Sequence, residues 1–211
     1  MQARVGVSGV LLAGGRSRRL GTDKSTIPWP PAAPGSTAAG SPGGTLLEAT
    51  GATLAQVCDE VLVVAYRGDR LLPHRIVPDL YEAGGSLGGV YSGLAAAAGE
   101  YALAVATDMP FLSLPLLRWM LAQPRTYEAL VPVREAPEPL HAIYARSCLE
   151  PMRRRLDRGR LKITGLFEDV RVQHVDADTL AAHDPQGLSF FNINTPEDLV
   201  RARLIAAARS G

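Results

Sequence analysis

The first apolar segment of the chain runs into Leu12, Ala13, Gly14, Gly15, Arg16, Ser17, Arg18, Arg19, Leu20, Gly21, Thr22, Asp23 and Lys24. Gly14 and Gly15 let the backbone come close to a ligand and aim successive N–H groups at it, while Arg16, Arg18, Arg19 and Lys24 add positive charge. Together these suit a triphosphate; the alternative reading is a solvated basic turn. The phosphate-loop pattern G-x-x-x-x-G-K-[ST] is not met, because Thr22 and Asp23 separate Gly21 from Lys24, so a Walker-type NTPase is disfavoured. Lys24 is one of two lysines among 22 basic residues. In so arginine-rich a chain, a lysine here points to a compact charge on a flexible stem.

Further candidates follow later apolar segments. Asp108 comes just after residues 101–106 and before Met109 and Pro110, a turn that would fix its carboxylate to hold Mg²⁺ on bound phosphates; a plain cap is the alternative. Asp79, just after residues 75–78, would occupy the neighbouring crest. Residues 84–89 are rich in glycine but lack G-x-G-x-x-G spacing, which leaves either a base or ribose lying on the backbone or tight packing of a turn on a helix. Asn192 and Asn194 fall on one side of an extended stretch, where their amides could donate to and accept from a polar substrate. Thr195 and Pro196 then read as a helix cap and first helical residue. His141, between a proline-rich turn and a strand, is the histidine placed to face a cleft. His74, His174 and His183 are expected at the surface, and no pair of histidines has metal-ligand spacing. Residues 89–93 set their serine one place late for a nucleophile elbow, and Arg153, Arg154 and Arg155 read as the solvated face of a helix.

The elements that must position these residues alternate in type. Strands are expected at residues 5–13, 61–66, 75–78, 101–106, 129–133, 142–145 and 170–175. Helices are expected at residues 45–59, up to 98, at 115–122, 147–158 and 196–209. Continuous apolar strands separated by helices indicate an α/β fold, a doubly wound, mostly parallel sheet flanked by helices. Ligands of such sheets sit beyond the carboxyl ends of the strands, where the candidates lie. Residues 28–44 hold five prolines, four glycines and no charge, and read as a flexible surface loop. One domain is expected over residues 1–211, this loop included.

Composition narrows the function classes. The 211 residues are 46% hydrophobic and 20% charged, an ordinary globular balance, and the net charge of +1 offers no global field for nucleic acid or an anionic membrane. No apolar run approaches the ~20 residues of a membrane span, and no signal-peptide pattern opens the chain, so the cytoplasm is the expected compartment. Cys58 and Cys148 lack C-x-x-C spacing and are expected to be buried reduced thiols.

The stretch from Leu12 to Lys24 closely resembles the L-A-G-G-x-S-x-R-x-G-x-D-K signature of the molybdenum cofactor guanylyltransferase family. Residues 108–112 (Asp-Met-Pro-Phe-Leu), 139–144 (Pro-Leu-His-Ala-Ile-Tyr) and 192–199 (Asn-Ile-Asn-Thr-Pro-Glu-Asp-Leu) look like later motifs of that family, in its order. The resemblance covers nearly the whole chain and implies a Rossmann-like nucleotidyltransferase fold. It further implies transfer of GMP from GTP to the terminal phosphate of molybdopterin, with release of pyrophosphate. On this footing Leu12, Ala13, Gly14 and Gly15 would contact the nucleotide, Lys24 its phosphates, Asp79 the nucleotide and Asp108 the Mg²⁺. Lys24 and Arg19 would neutralise developing charge, and Asn192, Asn194 and His141 would hold the second substrate. GTP and molybdopterin are the implied partners, with cofactor-handling proteins as further ones; no nucleic acid or membrane is expected, and the oligomeric state is open.

The chain departs from the family pattern at Val64, where the family can carry a nucleotide-contacting asparagine, and in residues 28–44, which lengthen a usually short connection and read either as a lid or as a neutral insertion. The rival activity is molybdenum cofactor cytidylyltransferase; Asp23 before Lys24, and asparagine at 192 and 194, favour the guanylyl branch. Another metabolite nucleotidyltransferase is a more distant option. A nucleotide-binding sensor or accessory module is the non-enzymatic alternative.

Overall fold

A computed structural model describes residues 6–13, 24–29, 44–65, 71–81 and 83–210. The strands are β1 (Val7–Leu12), β2 (Glu60–Val64), β3 (Arg75–Val77), β4 (Tyr101–Ala106), β5 (Ala129–Pro132), β6 (His141–Ala145) and β7 (Val172–Val175). The helices are α1 (Leu46–Leu54), α2 (Gly85–Ala96), α3 (Leu114–Ala122), α4 (Leu149–Asp157), α5 (Ala177–His183) and α6 (Pro196–Ser210). Among the described residues the strands form one sheet in the order β3-β2-β1-β4-β6-β5-β7. The chain leaves β1 towards β2 and β3 on one side and returns to β4 on the other, so the topological switch lies between β1 and β4. That is where the ends of these strands diverge and leave a crevice.

β6 runs antiparallel to β4 and β5, whereas β7 is parallel to β5. The reason is the short connection across residues 133–140, which permits a hairpin but not a crossover. The expected doubly wound, mostly parallel sheet is thus present with one reversed strand. α5 was not expected from the sequence pattern; α1 ends at Leu54, short of residue 59.

Period-two alternation splits the core. Val63, Leu103, Val105, Leu130 and Ile143 pack on one face with Leu47, Leu116, Leu117 and Met120. Val10, Leu62, Val64, Ala104, Val131 and Tyr144 pack on the other with Leu87, Val90, Leu94 and Met152. On the second face small residues set the spacing: a Cβ on Gly93 would stand 2.3 Å from Val10 Cγ1, and one on Gly89 3.0 Å from Leu12 Cδ2. α2 therefore lies close against β1. Of the two readings of the glycine-rich stretch, the tight-packing one describes Gly84, Gly88 and Gly89, while Gly85, at φ +57°, has open space where a Cβ would be.

The ends of the proline-rich stretch are pinned together. Trp29 N–H donates to the Gly44 carbonyl at 2.7 Å and Leu46 N–H to that of Ile27 at 2.8 Å. Thr45 and Glu48 close a reciprocal capping box at the start of α1. Residues 30–43 lie outside the described residues. Cys58 and Cys148 are free, and burial pushes both thiols up to about 12, as expected of inert reduced cysteines. No helix among the described residues is long and apolar enough to cross a membrane.

Candidate functional site

The carboxyl ends of β1 and β4 are tied to each other. The Leu12 carbonyl accepts from Thr107 Oγ1 at 2.7 Å and from Thr107 N–H at 3.2 Å. Thr107 is buried, so this pairing fixes the residue that follows it, Asp108. Ala13 N–H donates to the Val64 carbonyl at 3.0 Å, which holds the other side of the crevice mouth to β2. Gly14, Gly15 and Arg19, expected to complete the phosphate loop, lie outside the described residues.

At the crevice Lys24 and Asp108 meet. Lys24 Nζ is 2.6 Å from Asp108 Oδ2 and donates to Asn194 Oδ1 at 2.9 Å. Both side chains of the ion pair are 16% exposed, which shields the pair from bulk water while leaving it reachable. Three segments far apart in sequence thus converge on one ammonium group. Each is anchored locally. Lys24 opens a single 3₁₀ turn, Lys24–Thr26, whose neighbour Ile27 is buried. Asp108 accepts, through its carbonyl, the Ile193 N–H at 2.9 Å. Asn194 is held by Asp198, whose Oδ2 accepts the N–H groups of Asn194 at 3.0 Å and Thr195 at 2.9 Å. Those backbone donors, the Asn194 N–H foremost, keep the Asp198 carboxyl below its usual range. Thr195 Oγ1 accepts from Asp198 N–H at 3.1 Å, so Thr195 and Pro196 are the cap and first helical residue the sequence suggests.

An aromatic floor joins the same three segments. The Phe111 ring stands edge-on to Trp29 at 5.7 Å and to Phe191 at 5.8 Å. Trp29 lies just beyond the Lys24 turn, Phe111 beyond Asp108 and Phe191 before Asn192. Ile27, Leu46, Ile193 and Ala202 fill the space around them. Sequence reasoning placed Phe111 in a motif but missed this role, because aromatic residues 82 and 80 positions apart carry no local spacing signal.

Asp79 sits on the α2 side. Its Oδ1 accepts from Tyr81 N–H at 3.0 Å and Ser92 Oγ lies 3.1 Å away, also 2.8 Å from the Gly88 carbonyl. Ser92, which accepts Leu80 N–H at 2.9 Å, is a positioning residue that the sequence did not mark. Asp79 is half-buried, at the carboxyl end of β3, and among the described residues no hydrogen bond or ion pair links it to the Lys24 cluster. Val64 is fully buried, so nothing from that side chain reaches a ligand. Ala65 follows at φ +60°, a left-handed conformation that costs an alanine about 1 kcal/mol.

Several expectations need correction. Asn192 Nδ2 donates to the carbonyl of its neighbour Phe190, 3.1 Å away, whereas Asn194 Oδ1 accepts from Lys24, so the two amides are tied to different partners. His141 does not face a cleft. Its ring is fully buried against Phe190, 4.8 Å between centroids, and neither ring nitrogen has a hydrogen-bond partner among the described residues. Burial lowers its pKa to about 4, against a small opposing pull from Asp184, so the imidazole is neutral. The reason is register: His141 opposes Val105 of β4 and shares the inner face with Ile143. His74 also departs from expectation, with a buried Nε2 under α1 in place of a surface position. Arg153 and Arg154 pair with Glu150, and Arg153 with Asp157, on an exposed helix face as read from the sequence, but Arg155, expected on the same solvated face, is only 13% exposed and turns to Asp169.

At the mouth of an α/β crevice the Lys24 ammonium can compensate phosphate, and the carboxylate and amide oxygens it bridges can hold a cation. Comparison with known proteins narrows this. The family model described as MobA-like NTP transferase domain matches residues 9–175. A probable molybdenum cofactor guanylyltransferase from Pelotomaculum thermopropionicum is 36% identical over 203 residues, spanning 94% of this chain and 93% of its own. A molybdenum cofactor guanylyltransferase from Desulfosudis oleivorans is 34% identical over 212 residues, 97% of each chain. The crystal structure of molybdopterin-guanine dinucleotide biosynthesis protein A from Archaeoglobus fulgidus aligns with a TM-score of 0.80 at 26% identity, over 96% of this chain and 99% of that one.

Proposed function

The chain belongs to the MobA-like NTP transferase family, and from that membership and the site we infer that it is a molybdenum cofactor guanylyltransferase. It transfers GMP from GTP to the terminal phosphate of molybdopterin and releases pyrophosphate. The observation that carries this reading to particular residues is the convergence of Lys24, Asp108 and Asn194 at the switch point of the sheet.

In the transfer, an oxygen of the pterin phosphate attacks the α-phosphorus in line. One P–O bond forms as the α–β phosphoanhydride bond breaks and pyrophosphate leaves. No protein nucleophile is required, so the chain's task is to position and to compensate charge. Leu12 and Ala13, held to Thr107 and Val64, and the following Gly14 and Gly15, present backbone to the nucleotide. Asp79, fixed by Ser92 and the Tyr81 N–H, holds the nucleotide on the α2 side. Lys24, with Arg19, bears the charge that develops on the phosphate oxygens. Asn194 faces the junction of the two substrates; Asn192 lines the acceptor side, and His141 supports it from beneath through Phe190.

Asp108 fits a Mg²⁺ ligand. It is a partly buried carboxylate that already balances one cationic group at 2.6 Å, beside a neutral oxygen, and hard cations prefer such oxygen donors. When bound, Mg²⁺ supplies neutralisation of phosphate charge. The whole chain works as one nucleotidyltransferase domain. Cytoplasmic location accords with its two free thiols.

The test is Asp108→Ala, assayed for pyrophosphate release and for GTP binding. An enzyme that uses Asp108 in this way loses transfer by about 10²-fold or more while retaining part of its nucleotide affinity. Unchanged turnover would remove Asp108 from the site.

A further inference from the structure

We propose that Lys24 makes divalent-cation binding conditional on the nucleotide: its ammonium group occupies the cation position between Asp108 and Asn194 until a triphosphate draws it away. The inference rests on the reading of Asp108 as the cation's carboxylate. It adds an order of assembly and a specificity role for Lys24 beyond phosphate binding.

The geometry is the starting point. Nζ lies 2.6 Å from Asp108 Oδ2 and 2.9 Å from Asn194 Oδ1, so the space between an anionic and a neutral oxygen is filled by a positive centre. Two cations cannot share that space, because charges a few ångströms apart repel strongly at the low effective dielectric of a site only 16% exposed. The carboxylate's charge is already balanced. A Mg²⁺ ion, which gives up water reluctantly, gains little there without displacing the lysine.

A nucleotide changes both sides of this balance. Its phosphate oxygens offer Lys24 an alternative anionic partner and offer the metal additional hard ligands. The ammonium can then leave Asp108 without being stranded, and the carboxylate becomes available. The residue type suits the exchange. A lysine is a point charge on a flexible four-carbon stem, whereas an arginine would grip the carboxylate with two parallel hydrogen bonds and resist release. Most basic positions of this chain are arginine; the lysines are Lys24 and Lys162.

The experiment measures Mn²⁺ binding by electron paramagnetic resonance and water-proton relaxation, which separates protein-bound from nucleotide-bound metal. Wild type, Lys24→Met, Asp108→Asn and the double variant are compared without nucleotide, and wild type and Asp108→Asn also with GTP. The expected result is weak binding to wild type alone and binding at least tenfold tighter to Lys24→Met, with the gain abolished in the double variant. Should Lys24→Met bind Mn²⁺ no more tightly while Asp108→Asn still weakens the metal–GTP complex, the exchange is wrong and the Asp108 assignment stands. Should Asp108→Asn leave the metal–GTP complex unchanged, the assignment itself falls, and the exchange with it.

A measurement on the unaltered chain guards against a misfolded variant. With isotopically labelled lysine, the side-chain spectrum carries one signal from Lys24 and one from Lys162, distinguished by the Lys24→Met spectrum. Millimolar Mg²⁺ alone is expected to leave the Lys24 signal in place, and Mg²⁺ with GTP to move it while Lys162 stays. Movement with Mg²⁺ alone would overturn the proposal.

Discussion

His141→Phe should make the protein less sensitive to acid. The imidazole is fully buried, has no hydrogen-bond partner among the described residues, and is lowered from 6.5 to about 4 by burial. Its protonation is therefore easier in the unfolded chain. The unfolded state takes up the proton first as pH falls, so the stability present above pH 6.5 is lost progressively down to the folded value near 4. For this one group the linkage relation gives a loss of about 2 kcal/mol at pH 5 and about 3 kcal/mol at pH 4. Phenylalanine has a similar planar shape, keeps the contact with Phe190 and Val105, and cannot protonate. It also removes two buried polar atoms, worth about 1–3 kcal/mol at neutral pH if the fit is retained. Urea unfolding of both proteins at pH 7, 6, 5 and 4.5 isolates the effect, because carboxylates contribute equally to each and cancel in the difference. Parallel curves of stability against pH for the two proteins would refute the reasoning.

Three further outcomes are expected. Gly93→Ala should cost about 1–3 kcal/mol in urea unfolding, since its Cβ would meet Val10 Cγ1 at 2.3 Å and both flanking elements are fixed. Asp198→Asn should cost about 1 kcal/mol through the weakened cap of α6. It should also lower turnover through misplaced Asn194; and because the folded carboxyl is depressed, the lost stabilisation is the part present above the unfolded pKa that disappears as pH falls through the folded one. Phe111→Leu should remove two edge-on ring contacts, about 1–3 kcal/mol together, and lower kcat more than it raises KM for GTP, as measured by steady-state kinetics with each substrate varied.

What could be read from the sequence and what could not follow one division. β4 was legible as a continuous apolar run and β1 as a short apolar stretch broken only by Ser8 and Gly9, the mark of strands buried on both faces, and the residue after β4 was then placed by the rule for α/β sheets. The direction of β6 was not legible. Five buried residues read alike either way, and only the short 133–140 connection decides it. α5 escaped because it has one fully buried residue, Leu180, and hence no apolar stripe; the signal that could have found it is Asp176, whose side chain accepts Thr179 N–H.

The site divides in the same way. Lys24, Asp108 and Asn194 were assigned to one site by type, local setting and resemblance, yet their direct contact was not legible, since Lys24 and Asn194 are 170 positions apart and only the sheet order brings them together. The return of the Asn192 amide to the Phe190 carbonyl was not legible, because a side chain bonding its own neighbouring backbone leaves no spacing signal. His141 was misjudged because a strand end near a proline-rich turn can point a side chain inward as well as outward, and pairing with β4 selects inward.

The central claim is nucleotidyl transfer from GTP to molybdopterin. It is tested most directly by pyrophosphate release in the presence of molybdopterin and Mg²⁺, with GTP, CTP, ATP and UTP compared side by side. The account predicts release with GTP well above the other three, dependent on the pterin. Preference for CTP, or no release with any nucleotide, would contradict it.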